Sequence, residues 1–171
     1  IQSALRENVK QCNIAPILMG SGIHVQGFNV LLQVIDKYFP SPKELEAIGV
    51  DASTGEHFTA HYNDEATISG RVWKTIADPF LGKYSLFKIC TGVLKANSEV
   101  YNVNKEATEK IGKLYVLRGN TPIEVPELKS GDLGAVAKLS ITETGDSIAV
   151  RNAPIIYHAP KLSVPYTYMA Y

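Results

Sequence analysis

The spacing of apolar residues along the chain changes near residue 40. Before that point the pattern predicts a helix, a buried strand, a loop and a second helix. Ile14-Ala15-Pro16-Ile17-Leu18-Met19 is continuously apolar and stops at Gly20-Ser21-Gly22. A short apolar run bounded by glycines predicts a strand covered on both faces, as in a parallel α/β sheet. Phe28, Leu31, Leu32, Ile35 and Phe39 then recur at helical spacing and predict an amphipathic helix of about three turns. Pro40-Ser41-Pro42 should end it, because proline lacks the amide donor and forces its predecessor out of the helical region. A buried parallel strand needs neighbours, and no other segment here supplies them. Residues 1–42 are therefore expected to be the last piece of a larger α/β domain.

After Lys43 the alternation becomes that of strands. Residues 43–65 read as a linker, a turn at Asp51-Ala52-Ser53-Thr54-Gly55 and a first weak strand at 57–62. Further strands are predicted at 66–76, 84–91, 98–103, 110–118, 133–140 and 147–150. Turn signals separate them, among them Ala77-Asp78-Pro79-Phe80-Leu81-Gly82 and Glu143-Thr144-Gly145-Asp146. Short strands at this spacing predict a closed antiparallel β-barrel or a sandwich over residues 66–150. Leu114 and Val116 fall on the opposite face from Tyr115 and Leu117, which predicts a central strand partly covered on both sides. Residues 151–171 form a tail that ends in an alternating, β-prone stretch from Leu162, which is expected to need a partner strand.

Composition narrows the class. With 171 residues, 45% hydrophobic and 20% charged, the chain is neither disordered nor fibrous. Lys plus Arg equals Asp plus Glu at 17 each, so a DNA partner is not expected and any basic face must be local. No apolar stretch approaches the roughly 18 residues of a membrane span, and no membrane partner is expected. Cys12 and Cys90 are the only cysteines. They are expected to be free buried thiols, in keeping with a reducing, cytoplasmic setting.

The usual catalytic patterns are not met. His57 and His61 have the i, i+4 spacing of a helical zinc pair, but the Phe, Thr and Tyr around them favour a strand, which would hold them about 13 Å apart. Gly82-Lys83-Tyr84 and Gly112-Lys113-Leu114 lack the Ser or Thr and the earlier glycine of a phosphate loop. Asn104-Lys105-Glu106-Ala107 has Ala107 where a guanine-reading motif needs Asp, and it reads as a hairpin turn. There is no Gly-x-Ser-x-Gly elbow. Neither catalysis nor a bound metal is expected of this chain alone.

Four blocks carry a resemblance. Trp73-Lys74-Thr75-Ile76-Ala77-Asp78-Pro79-Phe80-Leu81-Gly82-Lys83, Lys110-Ile111-Gly112-Lys113-Leu114, Leu128-Lys129-Ser130-Gly131-Asp132-Leu133-Gly134-Ala135 and Thr142-Glu143-Thr144-Gly145-Asp146-Ser147-Ile148 stand in order. They resemble successive blocks of the second domain of bacterial elongation factor G, at that family's spacing. The resemblance implies a closed β-barrel of the translation-factor type. Residues 14–42 resemble the end of the family's GTPase domain, whose loop packs a serine and its successor against guanine. On this sequence those positions are Ser21 and Gly22. The family usually has alanine at the place of Gly22 and a more basic loop at Ile23-His24-Val25-Gln26, which marks a divergent, factor-G-like paralogue. The tail from Leu162 resembles the first strand of the third domain.

The resemblance implies a piece of a ribosome-dependent GTPase that drives translocation. GTP or GDP and Mg would belong to the intact parent, none of them being expected in this piece. The barrel would dock on small-subunit ribosomal RNA and brace the GTPase domain, with the rest of the GTPase and third domains as further partners. The RNA-facing candidates are Lys74, Asp78, Pro79, Phe80, Gly82, Lys83 and Lys88. Lysines can meet phosphates as point charges, and a glycine admits close backbone approach. A ribosome-protection or recycling relative with the same barrel, and an unrelated ligand-binding barrel, are the alternatives.

Overall fold

The structure is a computed structural model that describes residues 1–78, 82–119 and 121–159, with Asp78 described in its backbone only. The chain divides into two compact units, Ile1–Leu45 and Glu46–Tyr171.

In the first unit, helix α1 spans Gln2–Lys10 and helix α2 spans Phe28–Tyr38. The second helix ends where the prolines predict. Phe39 is extended at φ −82° and ψ 141°, as a residue before proline must be. A single 3-10 turn, Pro42–Glu44, follows, with the Ser41 amide donating to Glu44 Oε1 at 3.2 Å. The guanidinium of Arg6 grips the same carboxylate through two bonds of 2.9 and 2.7 Å, joining α1 to the end of the unit.

The strand expected at 14–19 does not form. That stretch has no regular structure, and Ile17 and Met19 are 91% and 94% exposed. Without neighbouring strands its amides and carbonyls have no ladder to join, so apolar sequence alone does not make it a strand. The apolar stripe of α2 is likewise uncovered, with Phe28, Leu31, Leu32 and Ile35 all exposed. Cys12 also lies at the surface, against the expectation that both thiols are buried; Cys90 is buried.

The second unit is antiparallel throughout. Its strands are β1 (Ala47–Asp51), β2 (His57–Ala60), β3 (Ser69–Asp78), β4 (Gly82–Thr91), β5 (Leu94–Lys95), β6 (Glu99–Asn102) and β7 (Ala107–Lys110). After them come β8 (Leu114–Arg118), β9 (Thr121–Val125), β10 (Glu127–Leu128), β11 (Leu133–Ala137), β12 (Ser147–Ala149) and β13 (Ile155–Tyr157). Eight of these form one sheet in the order β7-β6-β12-β3-β4-β11-β8-β9. β13, β1 and β2 make a three-stranded sheet, and β10 pairs with β5.

Among the described residues the paired strands do not close into a ring, so the hydrogen bonding does not establish the expected closed barrel. The eight-stranded ladder ends at β7 and β9, and β9 carries Pro122, which has no amide to extend the pairing. The interior is shared instead between the sheet and the small ribbon. Val72, Phe87, Ile89, Ile111, Leu114 and Ile148 pack with Leu94 of β5 and Leu128 of β10 in one core. The strand expected to be central is interior to the sheet, between β11 and β9, but only its start is covered. Leu114 is buried, whereas Val116 and Leu117 are exposed on opposite faces.

β13 ties the three-stranded sheet to the large one. The Tyr157 amide donates to Ser147 Oγ at 2.9 Å, and the Tyr157 hydroxyl meets Ser69 Oγ at 2.6 Å. Burial pushes the Tyr157 phenol well above its ordinary pKa. A buried cluster of Ala60, Cys90, Ile155 and Tyr157 lines this junction.

Candidate nucleic-acid interface

Strands β3 and β4 form a long hairpin, paired from Ser69↔Thr91 to Asp78↔Gly82. They carry Arg71, Lys74, Lys83 and Lys88 against one acid, Asp78. The register is interrupted between Val72 and Lys74, where Trp73 has no partner on β4. Such a bulge adds a residue to one strand, increases the local twist and re-aims the side chain. Trp73 is 42% exposed.

The structure separates the lysines that the sequence groups together. Lys74 is exposed beside the bulge and makes no ion pair among the described residues. Lys88 stands opposite Arg71, and its ammonium lies 5.2 Å from the centre of the Tyr62 ring. A cation over a ring face gains an electrostatic contact without losing its charge, which eases the like-charge pairing across the strands. Lys83 behaves differently. Its Nζ donates to the Thr142 carbonyl at 2.7 Å and is partly buried. Gly82 has φ +80° and open space where a Cβ would stand. The backbone of Asp78 pairs with Gly82, whereas Pro79 and Phe80 lie outside the described residues.

The loop that receives Lys83 is held by a carboxylate that sequence reasoning missed. Glu109, on β7, is 6% exposed and accepts hydrogen bonds from the amides of Ser140, Ile141 and Thr142 at 2.8–2.9 Å. The Thr142 hydroxyl also donates to it. Burial alone would raise the pKa of Glu109, but these donors outweigh it and hold the carboxyl below its ordinary value. Nearby, Asn102 Nδ2 donates to Asp146 Oδ2 at 2.8 Å and to Thr142 Oγ1 at 3.1 Å. Lys105 pairs with Glu143 at 2.7 Å and holds that carboxyl below the usual range. The only trace of Glu109 in the sequence is a carboxylate at an alternate position of a short strand, which looks the same as a solvated one.

Ser21 and Gly22 lie in the first unit, in a loop closed by two backbone bonds of 3.0 Å between Ser21 and Gln26. The Ser21 hydroxyl accepts the His24 amide at 3.2 Å, and Gly22 has free space around it. A hollow of about 270 Å³ opens there, lined among others by Leu18, Ser21, Gly22 and Phe28. The histidines His57 and His61 are exposed, His57 on β2 and His61 just beyond it, so the helical zinc geometry is not formed. Among the described residues no helix is long and apolar enough to cross a membrane.

Residues 67–151 match the family model described as elongation factor G domain 2. These residues belong to the elongation factor G domain 2 family. The match runs from just before β3 to just past β12, so domain 2 here includes the hairpin, the Glu109-held loop and the sheet core. A crystal structure of a protein from Thermus thermophilus has a similar fold, with a TM-score of 0.63 at 22% identity. The similarity covers 99% of this chain and 22% of that one, so this chain spans about a fifth of the length of the solved protein.

Proposed function

We propose that this chain is a non-catalytic docking module of a translational GTPase, and that its β3–β4 hairpin is the side that meets small-subunit ribosomal RNA. The observation that carries the reading is the domain 2 match over residues 67–151, which contains the hairpin with its cation excess. Arg71, Lys74 and Lys88 supply positive charge that no carboxylate pairs with among the described residues, as phosphate contacts require. Lys83 serves as a strut beneath the hairpin rather than as a free contact.

In the intact protein, the GTPase domain would bind GTP or GDP with Mg, with Ser21 and Gly22 as the guanine-facing loop. The second domain would brace that machinery against the ribosome during translocation, in the cytoplasm. With no net charge, the isolated chain should bind RNA weakly and lose binding as salt rises. A role in ribosome protection or recycling would use the same surface.

Co-sedimentation of the purified chain with small ribosomal subunits over a salt series tests this. Binding that falls with salt, and falls further for Lys74→Gln with Lys88→Gln, is expected. Salt-independent binding, or none at low salt, would rule the docking surface out. GTP hydrolysis by the purified chain would overturn the assignment of a non-catalytic role.

A further inference from the structure

Beside the Trp73 bulge lies a hollow of about 240 Å³, lined by Arg71, Val72, Trp73, Gly145, His158 and Ala159. Its floor is built rather than accidental. Across the bulge, the Gly145 amide donates to the Val72 carbonyl and the Val72 amide donates to the Asp146 carbonyl, both at 2.8 Å. Thr144 Oγ1 donates to Thr75 Oγ1 at 3.0 Å, so the 143–146 turn is fixed to β3 on both sides of Trp73 along the strand. The turn is held in its own right by Asp146, which accepts the Glu143 amide at 2.8 Å.

The volume decides the size of the guest. Drug-sized and cofactor pockets run from about 300 to 1,000 Å³, so this hollow suits one planar ring system rather than a whole cofactor. The lining decides its chemistry. An indole gives a flat stacking face, and the guanidinium of Arg71 gives a second planar group that also carries charge. Arg71 makes no ion pair among the described residues, and its cross-strand neighbour is the cation Lys88. A ring attached to an anionic backbone fits this arrangement better than a neutral aromatic does.

We propose that the hollow beside the Trp73 bulge binds a single unpaired nucleobase of RNA, stacked on the indole, with Arg71 and Lys88 meeting the adjoining phosphates. The inference rests on the RNA-docking reading and deepens it. That reading needs only backbone charge, whereas this one assigns a base-binding subsite to a particular aromatic residue. Stacking on an aromatic tolerates any base, so the subsite would select unpaired nucleotides rather than a sequence.

Trp73 is the only tryptophan in the chain, so its fluorescence reports on this hollow alone. The full chain is titrated with oligoadenylate, with adenosine monophosphate and with ribose 5-phosphate. Saturable quenching by the first two and none by the third is expected. Binding of a labelled oligoadenylate, followed by polarisation, should weaken about five- to hundredfold in Trp73→Leu. It should be largely kept in Trp73→Phe, which retains a stacking face. Arg71→Gln should weaken it several-fold and flatten its salt dependence. Circular dichroism of each variant checks the fold, and the quenching by the unaltered chain stands whatever a variant does.

Quenching equal for ribose 5-phosphate and oligoadenylate, or unchanged polarisation in Trp73→Leu, overturns the inference. Co-sedimentation separates the two readings. If Trp73→Leu and the unaltered chain bind small subunits equally and oligoadenylate does not quench, the subsite is wrong and docking stands. If neither chain sediments, docking itself fails.

Discussion

The ammonium of Lys83 donates to the carbonyl of Thr142 at 2.7 Å, so the turn end of the β3–β4 hairpin is tied to a loop held by Glu109 on another strand. The tie joins residues 59 positions apart, and it turns a lysine that looks like a phosphate contact into a structural brace. The posture of the hairpin therefore depends on a carboxylate that takes no part in the proposed RNA surface.

Glu109→Gln should loosen that loop. An amide cannot replace a carboxylate that accepts from three backbone amides and a hydroxyl, and the loss is expected to be on the order of 2–3 kcal/mol. Because the folded pKa of Glu109 lies below its unfolded value of about 4.3, its contribution is complete above that pH. It is lost as pH falls through the lower, folded value. Urea unfolding of the unaltered chain and of Glu109→Gln, compared from about pH 6 to about pH 3, should show the gap between them closing on the acid side. A gap that stays constant would mean that the charge is not what holds the loop.

Gly92→Ala should cost far more than Gly82→Ala. Both glycines have positive φ, at +69° and +80°, where an L side chain costs about 1–2 kcal/mol. Only at Gly92 would the new Cβ also lie 2.6 Å from the Ala66 carbonyl oxygen and 2.7 Å from Ile68 backbone atoms. Chemical denaturation should place Gly92→Ala more than about 2 kcal/mol below the parent and Gly82→Ala within about 2. Equal costs would show that backbone crowding at the start of β3 does not matter.

Ser85→Ala is expected to leave stability unchanged or to raise it by up to about 1 kcal/mol. Ser85 is completely buried on β4, and its hydroxyl has no hydrogen-bond partner among the described residues. Removing it deletes an uncompensated polar atom and leaves the methylene packing in place. A fall in melting temperature would show that the hydroxyl does find a partner, such as a buried water.

In the first unit, the Arg6 guanidinium beside Glu44 holds that carboxyl down to about 2, with the Ser41 amide adding to the effect. The contribution of this pair is present above about pH 4.3 and lost as the solution is acidified through the depressed value. In Arg6→Ala the carboxyl should titrate nearer its ordinary value, though still lowered by the Ser41 amide. Proton NMR titration of Glu44 measures this directly, and an unmoved titration would mean that the ion pair does not persist in solution.

Much of this was legible in the sequence. The helix Phe28–Tyr38 ends where Pro40 and Pro42 dictate. Asn104 to Glu106 make the hairpin turn expected of them, and strands form where 66–76 and 84–91 were expected to be extended, because each depends on residues near in the chain. The failures have one cause. The stretch 14–19 has the composition of a buried strand but no ladder beside it, and Val116 and Leu117 alternate properly without being covered. The short strands Ala47–Asp51, Ala107–Lys110, Thr121–Val125 and Ile155–Tyr157 escaped notice because their partners, not their own composition, make them strands.

Local propensity, turn chemistry and the order of four motif blocks were thus set by the sequence itself, and they suffice for the class of the domain and its family. Only the tertiary structure decided that Lys83 is a brace, that Glu109 is a buried anchor, and that Trp73 leaves the ladder and lines a hollow together with Arg71 and His158. Those roles depend on which residues meet across tens of positions, and burial and hydrogen-bond satisfaction are settled by that meeting rather than by the side chain's identity.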